Sequence, residues 1–176
     1  EDLLGQQLFL DALDELRNFA AGVETWLIPG NHDPPDKLRT LDLSPIRVHS
    51  GPAMEWDGVL YTHGHQFDVT THVWDTLLKI PARRLFPWLY VKLYGTPYEV
   101  KTAQRERDYR EYIGWILGRA MVYALAQGKD LVYGHTHAPM RVEMRDRTVV
   151  NSGDWRDSLS WVEARDGKLS LHFWRP

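Results

Sequence analysis

Asn31, His32 and Asp33 follow Gly30, His63 and His65 flank Gly64, and His135 and His137 flank Thr136 just after Gly134. Neutral imidazole and amide oxygen offer lone pairs to hard or borderline divalent cations, and glycine beside them lets backbone and ligand crowd together. A lone histidine in a loop is more often a hydrogen-bonded polar residue than a ligand. Here each cluster follows a short apolar run, so the same arrangement recurs three times in one chain. The recurrence points to a shared metal centre. The histidines outside the clusters, His49, His72 and His172, read as structural.

The elements that must position these residues follow from hydrophobic periodicity. Residues 3–20 place apolar side chains at three- and four-residue steps with charges between them, which predicts an amphipathic helix stopped by Gly22. Residues 23–28, 46–49, 58–62 and 130–133 read as strands. Three of them end in the clusters above, and α/β folds place ligands at the carboxyl ends of strands. From about 69 to 127 the pattern is helical, with breaks at Pro81, Pro87 and the 95–97 turn. Its clearest stripe runs Ile113, Ile116, Leu117, Ala120, Met121, Ala124 and Leu125, closed by Gly128. The remainder, 141–144, 148–151, 159–164 and 169–174, reads as short antiparallel strands joined by turns such as Asp166-Gly167.

Composition bounds the rest. A chain of 176 residues fits one globular domain with a real core. The absence of cysteine excludes disulfides, thiolate zinc sites and a cysteine nucleophile, and fits a reducing compartment, by default the cytoplasm. No apolar run approaches the ~18 residues of a spanning helix. A net charge of -3 argues against a nucleic-acid partner. All four methionines are internal and the first residue is Glu1, so the expectation is that more sequence precedes this chain.

Gly30-Asn31-His32-Asp33, His63-Gly64-His65 and Gly134-His135-Thr136-His137, in this order, resemble the motifs of the calcineurin-like metallophosphoesterases. The resemblance implies an α/β fold, a two-sheet sandwich flanked by helices. It also implies two divalent ions, read as manganese with iron, cobalt or zinc as alternatives, and hydrolysis of a phosphate ester or anhydride by a metal-bound hydroxide. Carried over position by position, Asn31, His63 and His135 resemble ligands of one ion and His137 a ligand of the other. His32 resembles the catalytic histidine over the phosphate, and Asp33 the carboxylate orienting it. The family's upstream Asp-x-His and bridging Gly-Asp motifs are missing. Gly153-Asp154 comes after the last histidine cluster, so it is read as part of a turn shaped by residues 151–154 and not as the bridge. The expectation is an N-terminally truncated domain that is inactive alone, with a degenerate scaffold of the same fold, or a partner chain that supplies the missing half, as the alternatives.

Residues 69–119 read as a long helical insert between the second and third clusters. Within it, 79–119 carries nine basic residues against four acidic, net +5, around an aromatic and aliphatic patch at 85–94. Basic amphipathic helices bearing Trp, Tyr and Leu suit an anionic membrane surface or the acyl chains and phosphates of a lipid. The same pattern also describes a lid buried on the main domain. The insert's placement and the Asn151-Ser152-Gly153-Asp154-Trp155 ending resemble the UDP-2,3-diacylglucosamine diphosphatase group, which often carries aspartate where His65 stands. That resemblance implies cleavage of a lipid-linked pyrophosphate in lipid A biosynthesis, peripheral to the inner membrane, with Arg83, Arg84, Trp88 and Arg105 as substrate-binding candidates. A phosphodiesterase for nucleotides or small molecules is the alternative.

Overall fold

Leu60, Leu131, Tyr133 and Val149 alternate along their strands with Val59, Val132 and Val150, and the two sets are buried in separate clusters. A period of two with both faces apolar belongs to strands covered on both sides. The computed structural model describes residues 3–32, 38, 40–68 and 103–175, with side chains from residue 10 onward in the first helix and from 109 onward in the second. In chain order the elements are α1 (Leu3–Ala20), β1 (Trp26–Leu27), β2 (Arg47–Val48), β3 (Met54–Trp56), β4 (Val59–Thr62), a 3₁₀ turn (His65–Phe67), α2 (Ala103–Gln127), β5 (Asp130–Tyr133), β6 (Met140–Glu143), β7 (Thr148–Asn151), β8 (Ser160–Arg165) and β9 (Lys168–Phe173).

β3, β4, β5, β7 and β6 form one sheet in that order. Its centre, β4–β5–β7, is parallel, while β3 and β6 add antiparallel edges. One face receives α2, whose Ile116, Ala120 and Ala124 pack on Leu60, Leu131 and Val149. The other face receives the β8–β9 ribbon, which places Leu169 with Val162 and Leu171 against Val59, Val132 and Val150. Arg141 Nε donates to Leu169 O at 2.8 Å, tying the ribbon to β6. The result is an α/β layering of helix, mixed sheet and second β-layer. β1 and β2 pair in parallel as a separate two-stranded sheet.

α2 stops where its sequence says it should. Gly128 has a φ of 62°, and the N–H groups of Gly128 and Lys129 bond back to Leu125 O and Ala124 O. This left-handed glycine ends the helix by satisfying carbonyls the last turn leaves open.

Three features differ from the reading of the sequence. The antiparallel strands expected after residue 140 include β7, which also pairs in parallel with β5. β3 was not expected, although Asp57 and Gly58, both at positive φ, form the hairpin turn that returns it to β4. The apolar face of α1 is only partly covered in the described part of the molecule. Ala20 is buried, but Leu16 and Phe19 are each more than half exposed, and Arg17 anchors the helix through Ser44 O and Asp42.

Candidate metal centre

The parallel strands end in register. Thr62 lies beside Tyr133, and Tyr133 beside Asn151, so the next residues of β4, β5 and β7 emerge along one sheet edge. Gly134 N–H donates to His63 O at 3.0 Å and Ser152 N–H to Tyr133 O at 2.8 Å, fastening the three loops at their roots. The loop after β1 reaches the same place, because a Cβ on Gly30 would stand 2.7 Å from His63 Nε2.

His63 is the middle of an imidazole cluster. Its ring centroid lies 5.2 Å from that of His65 and 5.2 Å from that of His135, and its Nδ1 is 3.2 Å from His65 Nδ1. Burial, followed by repulsion from His135, His65, His137 and His32, lowers the His63 pKa to about 4. The ring is therefore neutral at physiological pH and keeps a lone pair. When Nδ1–H donates to His65, that lone pair is at Nε2, the atom nearest Gly30. Asn31 Oδ1, one residue further on, is buried with no hydrogen-bond partner. A buried amide oxygen without a donor is costly unless something positive meets it.

His135 and His137 both have positive φ, 64° and 55°, which turns the chain sharply between them. Asn151, fully buried, holds that turn. Its Nδ2 donates to Gly134 O at 2.9 Å and to Thr136 Oγ1 at 2.8 Å, and its Oδ1 accepts from Gly153 N–H at 2.9 Å. Tyr109, from α2, donates its hydroxyl to Thr136 O at 2.7 Å. His135 Nε2 is 3.2 Å from Asp68 Oδ2, and Tyr112 OH reaches the same carboxylate oxygen at 2.7 Å. Burial and the Asp68 carboxylate push the Tyr112 phenol well above its ordinary pKa, so it remains a donor.

His137 is exposed and pairs through Nδ1 with Asp154 Oδ2 at 3.1 Å. Partial burial raises the Asp154 pKa, but donation from the backbone N–H groups of Asp157, Ser158 and Arg156, together with His137, outweighs it and brings the group down to about 2. Gly153-Asp154 thus builds a turn and contacts a histidine of the third cluster.

The structure brings Asn31, His63, His135 and His137 to one edge of the molecule, with His32 close enough to perturb His63 and itself exposed. Asp33, Arg83, Arg84 and Trp88 lie outside the described residues, and Arg105 falls in α2 with its side chain outside them. His49 bonds Ala53 O at 2.9 Å and His172 stacks on Trp161, both away from the cluster. His72 is outside the described residues. Sequence reasoning missed the support around the site: the buried Asp68, the two α2 tyrosines and His65 as a ring partner of His63. The Asp68 to Tyr112 bond spans 44 residues, and no local pattern signals it.

Among the described residues no group of three His, Asp or Glu side chains is arranged to hold a metal ion. The donor set here is of another kind, one amide oxygen with imidazoles, of which His63 is neutral. The unpartnered Asn31 Oδ1 and the neutral His63 fit the chemistry of a borderline divalent cation. Residues 5–139 match the family model described as calcineurin-like phosphoesterase. A comparison with curated proteins gives no match. That match spans all three histidine-bearing loops and most of the sheet that supports them, and the chain belongs to the calcineurin-like phosphoesterase family.

Proposed function

We propose that Asn31, His63 and His135 bind one divalent ion and His137 a second, and that the substrate is the pyrophosphate of UDP-2,3-diacylglucosamine or a similar lipid-linked diphosphate. The family is one of metal-dependent phosphoesterases, so hydrolysis of a phosphate ester or anhydride is the general reaction. The observation that carries the site reading is the buried, partnerless Asn31 Oδ1 on the loop that abuts a neutral His63. Bound divalent ions, with manganese as the first candidate, supply charge neutralisation at the phosphoryl oxygens and lower the pKa of the attacking water.

The protein's own residues do the rest. His63 offers a lone pair because burial and the surrounding imidazoles keep it unprotonated. His32, exposed beside the cluster, donates a proton or hydrogen bond to the leaving oxygen, with Asp33 orienting it. General acid help of this kind is typically worth ~10² to 10⁴ in rate. Residues 1–176 contain no Asp-x-His and no Gly-Asp upstream of the histidine clusters, so this segment alone is expected to bind metal weakly and to show no appreciable turnover.

The lipid assignment rests on the basic, aromatic character of residues 79–119. Arg83, Arg84 or Arg105 would meet phosphate and Trp88 would meet acyl chain, at the surface of an anionic membrane. The test compares full-length protein under manganese on UDP-2,3-diacylglucosamine and on bis-p-nitrophenyl phosphate. Polar substitution of Trp88 and Leu89 is expected to raise KM for the lipid several-fold and spare the small diester, since acyl contacts are remote from phosphorus. Wild-type efficiency on the diester equal to or above that on the lipid would overturn the lipid assignment.

A further inference from the structure

We propose that Asp68 and Tyr112 are positioning residues for His135, fixing its ring as the Nε2–H tautomer and leaving the Nδ1 lone pair for a divalent cation. The inference rests on reading His135 as a ligand and adds the groups that make it one.

Asp68 is 2% exposed, and its Oδ2 is 3.2 Å from His135 Nε2. A carboxylate only accepts. Tyr112 OH lies 2.7 Å from the same oxygen and 3.3 Å from His135 Nε2. The phenol hydrogen is directed to the carboxylate, so the phenol also presents Nε2 with an acceptor lone pair. Both oxygens that face this nitrogen therefore require it to carry the proton. An imidazole with its proton at Nε2 presents its lone pair at Nδ1. An acceptor on the far nitrogen orients a ligating histidine and raises its basicity.

The two residues come from different elements, and their meeting is prepared by the fold. Asp68 ends the 3₁₀ turn after β4, and Tyr112 stands on α2 one turn after Tyr109. Tyr109 OH holds Thr136 O, and further along α2 Arg119 Nη1 holds Phe67 O at 3.2 Å. One helix thus grips the loop after β4 and the loop after β5. It brings Asp68 under His135 in the same act.

The experiment uses full-length protein with ¹⁵N-labelled histidine, read by imidazole nitrogen shifts, together with manganese affinity by competition titration. His135→Ala first tests the ligand reading: unchanged manganese affinity in that variant removes the site itself. With that affinity reduced, wild-type protein is expected to show His135 as Nε2–H. Asp68→Ala should weaken manganese about 10- to 100-fold and release the tautomer into a mixture. Asp68→Asn, nearly isosteric and without charge, should show a smaller loss and the same mixing, and it serves if the alanine variant does not fold. Tyr112→Phe should weaken manganese a few-fold. Wild-type tautomer and wild-type affinity in both Asp68 variants, alongside a weakened His135→Ala, would overturn the proposal and leave the site reading standing.

Discussion

At the scale of single residues, the site depends on side chains kept in a definite protonation or bonding state. His63 is held neutral by burial and by surrounding imidazoles, its pKa lowered from 6.5 to about 4. The unfolded chain takes up this proton more readily than the folded one. Stability from this group is therefore full above about pH 6.5, declines as the pH falls toward about 4, and levels below that. Urea unfolding of chelator-treated protein across this range should show the decline, and His63→Gln should lose that component of it. Asn151 is a second case. Its side-chain amide ties the turn bearing His135 to the loop after β7, and Asn151→Ala would strand Gly134 O, Thr136 Oγ1 and Gly153 N–H in a largely buried place. A loss of about 3 kcal/mol is expected by denaturant titration. A value near zero would mean that water replaces the amide.

At the scale of elements, two glycines separate backbone freedom from ligand space. Gly153 has a φ of 71°, and a Cβ there would collide with Ser160 Oγ and Ser158 Oγ and come 2.9 Å from Pro139 Cβ. Gly153→Ala should therefore lower Tm clearly. Gly30 has no such backbone demand, yet its Cβ would displace the His63 ring. Gly30→Ala should retain nearly the wild-type Tm while weakening manganese about tenfold, measured by the same competition titration. β5 and β7 were legible to the residue, because their apolar runs end in abrupt polar clusters. β3 was not, since only the Asp57-Gly58 turn marks it and its exposed Glu55 and Trp56 give no core pattern. The strand-end histidine clusters were legible because glycine and histidine recur together. Asp68, Tyr109 and Tyr112 were not, because their partners lie tens of residues away and depend on how α2 crosses the sheet.

At the scale of the whole molecule, the sheet is the beam that sets the spacing of the loops. Leu131 is fully buried between β4 and β7 under α2. Leu131→Ala should cost about 2 to 5 kcal/mol, read by urea unfolding, and should blur the histidine cluster because the loops hang from these strands. No helix among the described residues is long and apolar enough to cross a membrane.

The left-handed backbone at His135 and His137 carries a further implication. Side chains other than glycine give up roughly 1 kcal/mol at such positions, so glycine is the residue the turn itself would favour at both. A campaign that ranked variants of this protein by thermal resistance alone would drift toward glycine at the exposed His137, whereas the largely buried His135 is held by its contacts with Asp68 and Tyr112. It would return a hardier protein stripped of one of its histidines, and a screen for improved variants must therefore score cation retention beside melting temperature.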